Sequence, residues 1–413
     1  MPRRRPVNAP VNPAVLARTV LDNTVFGGRK VIDVDTHLVE PFDLWTSRAP
    51  VTMKDRLPRV KMVDGVRSWV IDDDKFLSKG AVPACTISRD GVKWPGLDFI
   101  SKQIEDVDPA SYSVPERLAV MDRMGIAAQI IYPNILGFGG QKAVEVDDAL
   151  RQATVEIFND AMAELQAESG QRMFPMAMLP WWDVKLCVKE IERAAGLGLK
   201  GLNINSDPHT FRRADGEFLP DLGQDYWNPM WEACEAHGLP INFHIGASEE
   251  SMDFVGMQGW PGLHRDMRSG LGGAMLFINN GKTMGNLILS GLLDRYSKLK
   301  FVSVESGLGW IPFLLEAIDY QMSETGANAC KLQRKPSEYF KTNFHACFWF
   351  ERKNLVHDIR QLGVGNVLFE TDYPHPICLY PVDNMDTALD GLSEAEKNLV
   401  LSGNAARVYN IAI

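Results

Sequence analysis

Short apolar runs, each followed by a longer stretch with helical spacing, recur along most of the chain. Eight of the runs read as strands: VIDVD at 31–35, AQIIY at 128–132, FPMAML at 174–179, GLNIN at 201–205, PINFH at 240–244, KFVSVE at 300–305, FHACF at 344–348 and NVLFETD at 366–372. Near-continuous apolar runs of this kind suit strands covered on both faces, as in a parallel sheet. Helical patterns fill most of the intervals, at 114–124, 147–170, 185–196, 227–237, 288–296, 311–320 and 353–362. Three of them end near Gly170, Gly196 or Gly238, where a left-handed cap residue commonly stops a helix. Strand and helix alternating eight times predicts a (β/α)8 TIM barrel, an α/β fold, with a closing helix pair over 393–409.

Two regions break the alternation. Residues 41–113 hold Trp69, Trp94, many prolines and a hairpin-like piece, VKMVDGVRSWVIDDDKF at 60–76. Residues 246–286 are rich in Gly, Met and Trp, as in SMDFVGMQGWPGLHRDMRSGLGGAM. Both follow strands, and long loops on the C-terminal face of a barrel shape the substrate site, so both are expected to line the pocket. The domain reading is an N-terminal arm over 1–29 and one barrel domain over 30–413 with these two insertions.

Composition narrows the function classes. The 413 residues are 45% hydrophobic and 23% charged, enough apolar content for a large core, and the formal net charge is -10. That balance argues against a broad affinity for nucleic acid or an anionic membrane surface. The one basic run, Arg3-Arg4-Arg5, is followed by prolines rather than by the apolar stretch of a secretory signal, and no run approaches a membrane span. Six cysteines at long intervals (Cys85, Cys187, Cys234, Cys330, Cys347 and Cys378) show no CxxC spacing and read as reduced thiols. A soluble cytoplasmic protein is expected.

The candidate chemistry lies where polar residues end the strands. Strand one runs into Asp35-Thr36-His37, strand five ends in His244, and strand eight ends in Asp372. Residues two apart on a strand share a face, so Asp35 and His37 can reach one ion, and the other two come from strand ends at the same rim. A DxH alone recurs by chance; the joint placement is what points to a metal site. Two imidazoles and two carboxylates suit Zn2+, with Mn2+ as the alternative.

The segments VIDVDTHLVEP, GLPINFHIG, FVSVESGLGWIPFLLE, VLFETDYPHP and GNAARVY, in this order over roughly residues 30–411, resemble the amidohydrolase superfamily. More closely, the chain is similar to the branch of aminocarboxymuconate semialdehyde decarboxylase and the aromatic acid decarboxylases. The resemblance implies a single-ion site at Asp35, His37, His244 and Asp372, a small-molecule substrate such as an aromatic acid, and a homodimer. Two-metal relatives carry a carbamylated lysine at the end of strand four, where this chain has Asn203 and Asn205; Lys200 precedes the strand and reads as a surface lysine. The chain departs from the branch at strand six, where well-known decarboxylases place a histidine and this one has Glu305. A carboxylate replaces an imidazolium as proton donor only if its pKa is raised.

Around this set, His375 in DYPHP either touches substrate or fixes its turn, and Glu40 either bonds a ligand histidine or caps the segment entering the insertion. His345 and His209 are further candidates, His237 and His357 read as exposed, and His264 has no clear placement. Three functions stay open. One is non-oxidative decarboxylation or related C–C cleavage of an aromatic or enolic acid, with Asp372 as proton donor. Another is metal-assisted hydrolysis of an amide, ester, lactone or activated C–C bond, with Asp372 as general base. The third is a ligand-binding barrel without catalysis.

Overall fold

The computed structural model describes residues 23–82, 84–213, 215–252, 262–325 and 332–413. Most of the expected N-terminal arm, Cys330, and 253–261 of the second insertion lie outside the described residues.

The strands in chain order are β1 (Val31–His37), β2 (Arg59–Val63), β3 (Val66–Ile71), β4 (Lys75–Lys79), β5 (Ile126–Tyr132), β6 (Met173–Pro175), β7 (Ala177–Met178), β8 (Leu202–Asn203), β9 (Ile241–His244), β10 (Phe301–Val304), β11 (Phe344–Phe348) and β12 (Val367–Phe369). β2, β3 and β4 form an antiparallel sheet inside the first insertion, with Asp64 and Gly65 both at positive φ in the β2–β3 turn. That Asp-Gly pair supplies the conformation a two-residue hairpin needs. All the other strands are parallel, in the orders β1-β5-β6 and β7-β8-β9-β10-β11-β12, and each of the eight apolar runs supplies one barrel position, β6 and β7 sharing the third.

At one seam the chain runs continuously from β6 in the first sheet to β7 in the second, and at the other backbone hydrogen bonds join the sheets. Met176 N–H donates to Ile131 O at 2.9 Å and Ala177 N–H to Gly201 O at 2.9 Å; opposite, His37 N–H donates to Tyr373 O at 2.8 Å and Asp372 N–H to Asp35 O at 2.8 Å. The second seam brings two predicted site segments side by side.

Alternating side chains divide between two cores. Ile32, Val34, Ala128, Ile130, Phe174, Met176, Val302, Val304 and Leu368 form an inner cluster, joined by Val408, Tyr409 and Ile411 from the C-terminal segment. The Tyr409 hydroxyl donates to Asn242 Oδ1 at 2.7 Å and the Tyr132 hydroxyl to the same oxygen at 3.1 Å. A polar layer therefore sits on β9 two residues before His244. The outer strand faces pack against helices that match the expected ones to within a few residues: Val114–Met124, Asp148–Glu168, Val184–Gly196, Asn228–His237, Ile311–Glu324 and Leu355–Leu362.

Helix Arg265–Leu289 was not foreseen, because its glycines read as loop, and Pro336–Asn343 was likewise missed. The expected helix at 288–296 is the end of Arg265–Leu289 followed by the single turn Leu292–Arg295. Gly281 explains part of the first miss: a Cβ there would stand 3.2 Å from the Trp310 ring, so the small residue lets this helix lie close to Ile311–Glu324. No helix among the described residues is long and apolar enough to cross a membrane.

Candidate metal centre

The pairing of β1 with β5 shifts register between Asp33 and Thr36. Asp33 lies on one side of this irregularity and bonds to Thr371 and Gln129, whereas Asp35 within it and His37 beyond it turn toward His244 and Asp372. Such irregularities commonly re-aim side chains beside active sites. Glu305 follows β10 directly and Asp372 stands three residues after β12, with φ of +55° and +59°. Left-handed backbone is unfavourable for residues with a Cβ and persists where the surroundings enforce it. Asp35, His37, His244, Glu305, Asp372 and His375 are all 5% exposed or less.

The interatomic distances define one compact cluster. His37 Nε2 is 3.6 Å from Asp35 Oδ1 and 3.6 Å from Asp372 Oδ1; His244 Nε2 is 3.5 Å from Asp35 Oδ1 and 3.5 Å from Glu305 Oε2. Two ligands about 2.1 Å from a single tetrahedral ion would lie about 3.4 Å apart. Asp35, His37, His244 and Glu305 offer ligand atoms within 4.8 Å of one another, as do His37, Asp372 and His375. Both oxygens of Asp35, both of Asp372, both nitrogens of His37 and Nε2 of His244 are buried without a hydrogen-bond partner. Native proteins rarely leave so many polar atoms unsatisfied, and a cation among them would satisfy several at once.

Surrounding groups orient these residues. His244 Nδ1 lies 2.7 Å from Ile245 O, which makes Nδ1 the protonated nitrogen and leaves the Nε2 lone pair facing the cluster. His375 stacks on His37 with ring centroids 3.6 Å apart. Its Nε2 lies 3.0 Å from Asn134 Oδ1, and the Asn134 amide nitrogen donates to Leu38 O and to Glu40 Oε2. Those two acceptors fix the amide orientation, so His375 donates through Nε2 and turns Nδ1 to Asp372 Oδ1, 3.2 Å away. Glu40 accepts from the backbone N–H of Asn134 and Ile135 at 2.8 and 3.1 Å. It supports His375 through Asn134 rather than bonding a ligand histidine. Arg117, fully buried, donates to His37 O at 2.6 Å and to Ala110 O at 2.7 Å, and lies over the Tyr373 ring at 4.5 Å.

Burial without compensating charge governs the ionisation. It pushes Asp372 well above the ordinary carboxylate range, with Glu305 and Asp35 adding repulsion, and raises Asp35 against the opposing pull of His244. Glu305 is pushed up to about 8, by burial first. Burial also holds His37 and His375 well below the usual imidazole value. For His244, burial lowers the pKa but the neighbouring Asp35, then Glu305, more than reverse it.

The structure thus gathers Asp35, His37, His244 and Asp372 as predicted, and it also brings in Glu305 and His375. Glu305 lies among the candidate ligands, and its backbone N–H donates to Glu370 Oε2 at 3.2 Å. The other histidines lie elsewhere: His209, His237 and His357 are exposed, His264 caps helix Arg265–Leu289, and buried His345 pairs with Val302 early in β11. Asn203 ends β8 and Asn205 follows it by two residues; Lys200 is half-buried ahead of that strand. Glu370, Asn134, Arg117 and Phe138 were missed. Of these only Glu370 carried a signal, since it stands two before Asp372 just as Asp35 stands two before His37.

A cavity of about 640 Å³ opens between the two insertions, walled by Trp94, Leu97, Phe277, Trp349 and Phe350 and bounded by Pro376 and Ile377, which directly follow His375. Its volume falls in the usual range for small-molecule sites.

A family model described as amidohydrolase matches residues 32–411. Among curated proteins, the chain is 28% identical over 332 residues to a gamma-resorcylate decarboxylase of Polaromonas sp., covering 77% of this chain and 91% of the relative. Among solved structures, an amidohydrolase of Mycobacterium avium subsp. paratuberculosis superposes with a TM-score of 0.72 at 21% identity, covering 92% of this chain and 99% of that one. A Polaromonas dihydroxybenzoic acid decarboxylase with bound manganese and the inhibitor 2-nitroresorcinol superposes with a TM-score of 0.56 at 21% identity, covering 92% and 97%.

Proposed function

Since the chain belongs to the amidohydrolase family over residues 32–411, we propose that it is a metal-dependent, non-oxidative decarboxylase of an aromatic or enolic carboxylic acid. One divalent ion is held by Asp35, His37, His244 and Asp372, with Glu305 close enough to join or orient the set. The observation that carries this reading is the group of buried, unpartnered oxygens and nitrogens that these four residues present to one another. Bound there, a divalent ion supplies positive charge that binds a substrate carboxylate and stabilises negative charge developing on the ring. A carboxylate-rich donor set suits Mn2+ at least as well as Zn2+, and the manganese in the Polaromonas structure supports that preference.

Asp372, whose burial favours the protonated form in the metal-free protein, is the carboxyl assigned to carry the proton to the reacting carbon. The C–CO2 bond breaks, its electron pair stays on the ring carbon, and that carbon takes the proton. His375 Nδ1, 3.2 Å from Asp372 Oδ1, is placed to accept a hydrogen bond from the protonated carboxyl and so to orient it. The aromatic walls of the adjoining cavity and the names of the curated relatives support an aromatic acid as substrate.

Glu305 gives hydrolysis its claim as a second reading, because a carboxylate at strand six can accept a proton from water once it is ionised. Incubating metal-loaded protein with a panel of aromatic carboxylic acids and following CO2 tests the choice. Release without hydrolysis of ester or lactone analogues is expected, and the reverse pattern removes the decarboxylase reading.

A further inference from the structure

Phe138 lies in the segment that follows β5 at the barrel rim. Its ring centroid is 4.3 Å from that of His244, 5.2 Å from His37 and 5.9 Å from His375, tilted by 38°, 47° and 42°. The three imidazoles are buried, whereas Phe138 is only half-buried, so part of the phenyl stays accessible above the cluster. Its main chain is held on both sides. Gly137 and Gly140 take positive φ, +80° and +70°. A Cβ on Gly139 would stand 2.1 Å from Ala247 O and 2.9 Å from Asn205 Cα. The Asn203 side-chain amide donates to Phe138 O. The loop is thus clamped against the ends of β8 and β9, and the clamp sets the phenyl over polar residues that need no apolar cover for their own sake.

We infer that Phe138 determines specificity by offering the face on which a planar substrate ring packs while its carboxylate reaches the ligand cluster. Offset or tilted aromatic contacts add to simple area burial, so an aromatic acid gains from this ring and an acyclic acid of equal charge does not. The inference rests on the aromatic-acid reading above.

The test uses metal-loaded protein and two probes, 2-hydroxybenzoate and acetate, with affinities from calorimetry and metal content from elemental analysis. In Phe138→Ala the preference for 2-hydroxybenzoate over acetate is expected to fall at least tenfold, with full metal content. Phe138→Leu, which fills the space without a ring, loses at least threefold, and Phe138→Trp keeps the preference within threefold. These last two decide the matter if the alanine variant does not fold. A preference unchanged within twofold in Phe138→Leu overturns the role, as does a wild-type protein with no ring preference, or metal loss in both Phe138→Leu and Phe138→Trp. Binding is read without turnover. Ring preference that depends on Phe138, with no CO2 release, defeats the reaction and leaves the residue's role standing; CO2 release with an unaltered preference does the opposite.

Discussion

Glu305 stands where the sequence resemblance leads one to expect an imidazole, and its carboxyl, pushed up to about 8 by burial, is 3.5 Å from His244 Nε2. A group that close either binds the ion or orients a ligand to it, and removing such support costs about 10–100-fold in metal affinity or activity. Glu305→Gln is therefore expected to weaken metal binding about 10–100-fold in a chelator competition while the fold persists; unchanged affinity would assign Glu305 to structure alone. Asn134 presents a different case, since it touches none of the four proposed ligands but holds His375 at 3.0 Å. Asn134→Ala should retain its metal and lose roughly 10–100-fold in kcat, and a matching loss of metal would contradict the relay through His375. Asp35, His37, His244 and Asp372 were legible in the sequence because strand period and strand ends fix where such residues point. Asn134 was not, because its meaning comes from Glu40, 94 positions earlier, and His375, 241 positions later. No local pattern records such a contact.

The same limit operates on whole elements. All eight barrel strands could be read from apolar runs, and the helices between them from their spacing and caps. The glycines of Arg265–Leu289 misled, because glycine reads as a loop residue from sequence while packing decides whether a helix tolerates it. Gly270 has open space where a Cβ would go. Gly270→Ala should raise stability by about 0.5–1 kcal/mol in denaturant titration, the usual gain for an exposed helical position. Gly139→Ala should do the reverse, costing about 3 kcal/mol or more, because the new methyl meets backbone of the chain on two sides. Equal midpoints for the two variants would show that the clamp under Phe138 is not tight.

For the molecule as a whole, the buried cluster is a surplus of carboxylates that folding keeps away from water. Asp33 is pushed up to about 7 by burial despite its Thr371 bonds, and Glu305 to about 8. Between pH 6.5 and 9 the unfolded chain has already released these protons while the folded metal-free protein gives them up only as pH rises through about 7 and 8, so stability falls through that window. His244, raised by Asp35 and Glu305 against the effect of burial, acts in the same direction. His37 and His375, held low by burial, oppose this only at the lower end of the window, where the unfolded imidazoles are still partly charged. Metal binding grows stronger as its ligands deprotonate. The melting temperatures of metal-loaded and chelated protein should therefore diverge from pH 6.5 to 9, and a gap that narrows would contradict the site. The claim beneath all of this is that the barrel holds one divalent ion. Elemental analysis of purified protein beside its His244→Ala variant measures that directly: the account predicts about one Mn or Zn per wild-type chain and almost none in the variant, whereas full metal retention by His244→Ala, or no metal uptake by the wild-type protein, would contradict it.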